Sequence, residues 1–124
     1  MKFYFCEHCG NVMIKLNDAK PVPVCCGEPM KELTANTVDA AKEKHVPEVK
    51  RNGKDIEVQV GSVLHPMDED HYIEFILCVQ GKKCQCKLLQ PGDEPKACFT
   101  LCCDQEPVQV YEFCNKHGLW KAEA

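Results

Sequence analysis

Four histidines and one cysteine carry the densest chemistry in this chain: His45, His65, His71, His117 and Cys114. Only five histidines are present in all, so nearly every imidazole falls in this set. Two of the patterns are local: His65-Pro66-Met67 followed by His71, and Cys114-Asn115-Lys116-His117. Five such donors exceed the four that complete a tetrahedral zinc site. Four imidazoles and one thiolate, with room for a sixth ligand, suit iron better. The chemistry expected is redox at a metal with one position open to a small molecule. A thiolate opposite that position pushes electron density towards whatever binds there. Glu43 and Lys44 immediately precede His45. A lysine beside such a metal attracts a small anion and stabilises its negative charge. The plainer readings stay open: a single histidine is often a packed or surface residue, and Glu-Lys can be a solvated pair.

A second group is made of thiols alone. Cys6-x-x-Cys9 and the adjacent pair Cys25-Cys26 provide four sulfurs, followed by Gly10 and Gly27. Four thiolates suit zinc or a mononuclear iron. Neighbouring cysteines must splay apart to reach one metal, which distorts the tetrahedron. A zinc knuckle that only holds the fold is the alternative. His8, inside the knuckle, is expected to face solvent and not to ligate.

The bulk numbers narrow the class. A length of 124 residues with 44% hydrophobic residues allows one domain, or a core with a small appendix. A net charge of −4 with scattered basic residues argues against a nucleic-acid binder. No apolar run approaches the ~20 residues that cross a bilayer, and Met1 to Phe5 opens no secretory h-region. The expectation is a cytoplasmic protein. Eleven cysteines in a reducing compartment are better read as metal ligands or apolar core than as disulfides.

The elements that must position these groups can be sketched from periodicity. Residues 1 to about 33 form a cysteine-anchored unit: a strand over Lys2–Phe5, the knuckle, a strand over Asn11–Leu16, then Cys25-Cys26. So small a unit needs a metal staple. Residues 34–44 read as a linker with a helical turn. From His45, taken as the start of a strand, the pattern becomes β: Ile56 to Val60, Tyr72 to Val79, Lys83 to Leu88 with Cys84 and Cys86 inward, Ala97 to Cys103, and Val108 to Phe113. Cys114 and His117 fall at the end of the last strand and in the turn after it. Short strands at this spacing, without long amphipathic helices, suggest a β-sandwich.

Six motifs, in order along nearly the whole chain, resemble the desulfoferrodoxin family of two-iron superoxide reductases. They are Cys6-x-x-Cys9, Cys25-Cys26, Glu43-Lys44-His45-Val46-Pro47, Val60 to Met67, His71-Tyr72-Ile73-Glu74, and Cys114 to Trp120. The resemblance implies a mainly β protein: a desulforedoxin-like iron–tetrathiolate domain over 1–36 and an immunoglobulin-like sandwich over 37–124. It implies His45, His65, His71 and His117 as equatorial ligands of a catalytic iron, with Cys114 axial. It further implies that superoxide takes one electron and two protons at that iron to give hydrogen peroxide. Lys44 then attracts superoxide, and Glu43 can cap the ferric iron. Rubredoxin or a similar carrier, and a homodimer, are implied as partners. Leu64 stands where a proline is common. The remaining cysteines, Cys78, Cys84, Cys86, Cys98, Cys102 and Cys103, exceed the family pattern and read mainly as core or incidental thiols. Two other functions stay open: an electron carrier using only the four-thiol centre, and a structural zinc protein.

Overall fold

A computed structural model describes residues 1–124. The chain divides into two compact units, Met1–Thr34 and Ala35–Ala124. In the first, β1 (Lys2–Phe5) pairs antiparallel with β2 (Val12–Lys15) and β5 (Lys31–Leu33), while β3 (Val24–Cys25) and β4 (Glu28–Pro29) form a short hairpin. Its buried cluster is Tyr4, Cys6 and Met30, with Cys25 packed against it. At about 1.5–3 kcal/mol for each fully buried large side chain, so short a list leaves this unit dependent on crosslinking through its sulfurs.

The second unit opens with a single helical turn, α1 (Lys42–His45), and then builds two antiparallel sheets. One contains β6 (Pro47–Asn52), β7 (Asp55–Val60) and β10 (Lys96–Thr100), in the order β10-β7-β6. The other contains β8 (Ile73–Gln80), β9 (Lys83–Leu88), β11 (Gln109–Cys114) and β12 (Gly118–Glu123), in the order β12-β11-β8-β9. Ile56, Val58, Val60, Ala97 and Phe99 from the first sheet meet Ile76, Cys78 and Val110 from the second in one core, with Val108 just before β11. This is the expected immunoglobulin-like sandwich. Its inward residues alternate as the two-residue strand period requires.

Three local expectations are corrected. His45 does not begin a strand; it closes α1, and the strand starts two residues later at Pro47. Cys84 and Cys86 point out, not in, and are exposed. The reason is that β9 is the edge of its sheet. Its inward positions are held by long polar side chains instead: Gln85 Nε2 donates to the Thr100 carbonyl at 2.9 Å, and Lys87 Nζ to the Lys96 carbonyl at 2.9 Å. The strand begun at Ala97 ends at Thr100 and does not reach Cys103. There the chain turns, and Gln80 holds Cys103 by both its N–H and its carbonyl. A strand over Gly118–Glu123, outside the expected elements, completes the sheet beyond the last cysteine.

At the end of the sandwich that carries Asn52 and Ala124, the Arg51 guanidinium donates to the carbonyls of Gly53, Cys103, Asp104 and Ala124. One planar cation so fastens two loops and the chain terminus. In the middle of β11, Glu112 is fully buried between Ile76 and Trp120 of the neighbouring strands, and neither carboxylate oxygen has a hydrogen-bond partner. Burial therefore holds its carboxyl well above the usual carboxylate range. A raised folded-state value makes the cost grow as pH climbs above the ordinary carboxyl value, where the unfolded chain ionises and the folded one does not. Glu112→Gln is expected to raise the thermal midpoint at pH 8 by several degrees, with little gain at pH 4. Scanning calorimetry at the two pH values checks this.

Candidate metal centres

The five donors of the larger unit come from separate segments but from one end of the sandwich. His45 closes α1 just before β6; His65 follows β7; His71 precedes β8; Cys114 is the last residue of β11, and His117 lies in the turn into β12. Register explains the convergence. Pro47 pairs with Val60, Ile73 with Cys114, and Cys114 with Gly118, so these strand ends stand side by side. The ligating atoms of all five residues lie within 4.8 Å of one another.

The four imidazoles form a closed cycle of edge-to-face contacts. Ring centroids are 4.8 Å apart for His45–His65, 4.7 Å for His65–His71, 5.0 Å for His71–His117 and 4.8 Å for His45–His117. Interplanar angles run from 74° to 89°. Proton bookkeeping then tests whether the set fits a metal. His45 Nδ1 stands 2.7 Å from the Ala41 carbonyl and His65 Nδ1 2.6 Å from the Pro66 carbonyl. A carbonyl only accepts, so each Nδ1 carries the proton and donates it. Both Nε2 atoms then present lone pairs, and they face each other at 3.3 Å. His117 Nδ1 lies 3.1 Å from His45 Nε2, and Cys114 Sγ lies 4.0 Å from His117 Nδ1. His71 Nε2 is buried with no partner. Buried bare donors converging on one point are costly without a cation, and the set fits one.

Electrostatics agree. Burial lowers the His65 value to about 4, and burial likewise lowers His45 and His71, with neighbouring cations adding to both. Imidazoles held neutral are imidazoles ready to ligate. Burial pushes the Cys114 thiol up to about 11, so a metal must displace its proton.

Several residues outside this set hold it. Asn115 spans the His71 loop: its side chain accepts from the Tyr72 N–H at 2.9 Å and donates to the Asp70 carbonyl at 3.0 Å. Trp120 stacks on His45 at 5.0 Å and donates its indole N–H to the His117 carbonyl at 3.0 Å. Neither role was read from the sequence, although both residues lie in the Cys114–Trp120 motif. Glu43 and Lys44 sit on α1 with exposed side chains and no ion-pair partner, outside the cluster of five. Lys116, by contrast, pairs with Asp70 at 3.7 Å.

The smaller unit brings together Cys6, Cys9, Cys25 and Cys26, again within 4.8 Å. Cys9 Sγ and Cys25 Sγ are 3.7 Å apart, far beyond a disulfide bond. It is close to the about 3.8 Å edge of a tetrahedron with metal–sulfur bonds of about 2.3 Å. Cys26 has φ 52° and Gly27 φ 76°. That left-handed turn lets adjacent cysteine side chains diverge and still reach one centre. The backbone amide of Cys9 draws the Cys6 thiol down to about 6, whereas the thiol of Cys9, then that of Cys6, push Cys26 up to about 12. His8 is exposed and paired with Glu28 at 2.8 Å, on the surface of the knuckle. Of the other cysteines, Cys78 is in the core; Cys98 and Cys102 are exposed like Cys84 and Cys86, and Cys103 is half-buried.

Two outcomes are expected of metal-depleted protein. The His65 value is lowered on folding, so its stabilising share is present above the ordinary histidine value and lost as pH falls towards about 4. Unfolding free energy is expected to drop by up to about 3 kcal/mol over that window, with a shallower slope in His65→Asn; denaturant titration checks this. Asn115→Ala is expected to weaken metal binding at the five-donor cluster about 10–100-fold, read by competition with a chromophoric chelator.

The comparisons with known proteins agree along the whole chain. The family model described as desulfoferrodoxin matches residues 37–123, and that of the desulfoferrodoxin N-terminal domain matches residues 1–33. A desulfoferrodoxin of Syntrophotalea carbinolica is 48% identical over 123 residues, spanning 99% of this chain and 96% of the relative. One from Nitratidesulfovibrio vulgaris is 47% identical with the same coverage. Among solved structures, the superoxide reductase from Treponema pallidum superposes with a TM-score of 0.77 at 35% identity, covering 98% of this chain and 99% of that one. A one-iron superoxide reductase from Giardia intestinalis superposes with a TM-score of 0.60 at 33% identity, covering 67% of this chain and 98% of that one. With matches to both units and near-complete coverage, the chain belongs to the desulfoferrodoxin family.

Proposed function

We propose that this protein is a superoxide reductase, catalysing the one-electron reduction of superoxide, with two protons, to hydrogen peroxide. The observation that carries the reading is the closed cycle of four imidazoles with a buried thiol beside it. His45, His65, His71, His117 and Cys114 would hold a mononuclear iron. Cys6, Cys9, Cys25 and Cys26 would hold a second iron, or zinc, since the 3.7 Å sulfur separation suits either. Iron held by these five donors would supply the electron. The carbonyls of Ala41 and Pro66 fix the tautomers of His45 and His65, keeping one nitrogen of each ring basic towards the centre. Lys44, exposed and without an ion pair, leaves its charge available to draw in a small anion. Glu43, next to it on the same turn, supplies a carboxylate that can act as a further ligand. The domain assignment follows as 1–36 for the tetrathiolate unit and 37–124 for the reductase. A cytoplasmic homodimer, re-reduced by rubredoxin or a similar carrier, completes the proposal.

A carrier working only through the four-thiol centre leaves the buried five-donor cluster without a use. The deciding experiment is pulse radiolysis of the reduced, iron-loaded protein. Superoxide is expected to oxidise it in a second-order step that yields peroxide without dioxygen. Cys114→Ser is expected to abolish the thiolate-to-ferric absorption and slow that step at least about 10²-fold, while the four-thiol absorption stays. An unchanged rate in Cys114→Ser sinks the proposal.

A further inference from the structure

The side chains of Glu43 and Lys44 are exposed, so their place beside the five donors is set by their backbone. That backbone rests on another segment, Gly61-Ser62-Val63. The Glu43 carbonyl accepts from the Val63 N–H at 2.9 Å and from Ser62 Oγ at 3.2 Å. Gly61 is buried against the same stretch. A Cβ there would stand 2.6 Å from the Glu43 carbonyl oxygen, 2.9 Å from the Lys44 carbonyl carbon and 3.0 Å from the Val46 carbonyl oxygen. All three are backbone atoms, so no side-chain rotation makes room, and the approach is open only to glycine.

The supporting segment cannot retreat easily. Gln59 Nε2 donates to the Gly61 carbonyl at 2.8 Å. The Gly61 N–H donates to the Val63 carbonyl at 3.3 Å, and the His65 N–H to the Val60 carbonyl at 2.8 Å. Val60 is fully buried in the core. One short turn is thus fastened to β7 on one side, carries a donor histidine on the other, and holds the Glu43–Lys44 backbone from beneath.

We propose that the Gly61-Ser62-Val63 turn is the positioning element that fixes where Glu43 and Lys44 stand relative to the five-donor cluster. This rests on the reading that Lys44 draws in superoxide and Glu43 offers a carboxylate to the metal. The turn touches neither substrate nor metal; it acts through the two residues it carries. Gly61 contributes by its missing side chain, and Ser62 and Val63 by two hydrogen bonds to one carbonyl.

The test uses full-length, metal-loaded protein and two readouts. In zinc-loaded Gly61→Ala, amide exchange followed by NMR is expected to show the Val63 N–H exchanging at least about tenfold faster, the mark of a lost local hydrogen bond. Metal content is expected to remain at the wild-type level. In the reduced iron form, the same variant is expected to react with superoxide about 10-fold or more slowly, as small misplacement of an attracting group allows. Ser62→Ala, which adds no bulk, is expected to do both in smaller measure and stands in if Gly61→Ala does not fold. A cycle separates positioning from general loosening: in a Glu43→Ala/Lys44→Ala background, Ser62→Ala is expected to cause no further slowing. Equal slowing in both backgrounds, or a Val63 amide as protected as in wild type, overturns the inference. If Glu43→Ala/Lys44→Ala itself reacts at the wild-type rate, the reading beneath it fails instead.

Discussion

Lone pairs that have nowhere else to go organise this molecule. His45 and His65 meet Nε2 to Nε2 at 3.3 Å with both ring protons committed to carbonyls on their far sides. His71 brings a third buried nitrogen with no protein partner. Such groups repel one another in a low-dielectric interior, and a cation among them turns that repulsion into attraction. The sandwich supplies rigidity against this cost. Its strand ends fix where each histidine starts, and carbonyls, Asn115 and Trp120 fix which way each points. The fold and the centre are therefore one problem: the sheets bring together what the side chains alone would push apart.

The two units would hold a metal by different means. The larger one has a sizeable core and can hold its donors in place by packing. The smaller one buries four apolar side chains, Phe3, Tyr4, Cys6 and Met30, and Cys6 is itself one of the four clustered thiols. Its sulfurs must therefore do structural work as well, and its turn geometry is bent to that end at Cys26 and Gly27. Charge follows the same division. In the buried cluster, desolvation dominates and favours the neutral forms of His45, His65 and His71. In the thiol cluster, neighbouring sulfurs and one backbone amide set opposite directions for Cys6 and Cys26.

Much of this was legible in the residues. The five-donor group followed from the scarcity of histidine in the chain and from short fixed spacings, with Cys114 set apart from ten other cysteines by its place in Cys114-x-x-His117. The strands followed from period-two alternation, as at Ile56, Val58 and Val60. What was hidden depended on tertiary context. The alternation at Cys84 and Cys86 is real, but periodicity cannot say which face is inside, and at a sheet edge the polar side chains turned inward. His45 sits next to a strand without belonging to it, because α1 is a single turn and one turn carries no periodic signal. Glu112 shares the inward face of β11 with Val110 and Cys114. Its lack of partners, however, could be seen only once Ile76 and Trp120 were placed beside it.

The polar side chains of β9 also have a meaning for association. Lys96 and Thr100 turn carbonyls to the outer side of β10, the edge of its sheet, where an unpaired strand invites another chain to add on. Lys87 and Gln85 already occupy those acceptors. A further strand cannot add at the β10 edge without first dislodging both. The same two side chains that take the inward positions of β9 thus also guard one exposed edge of the facing sheet.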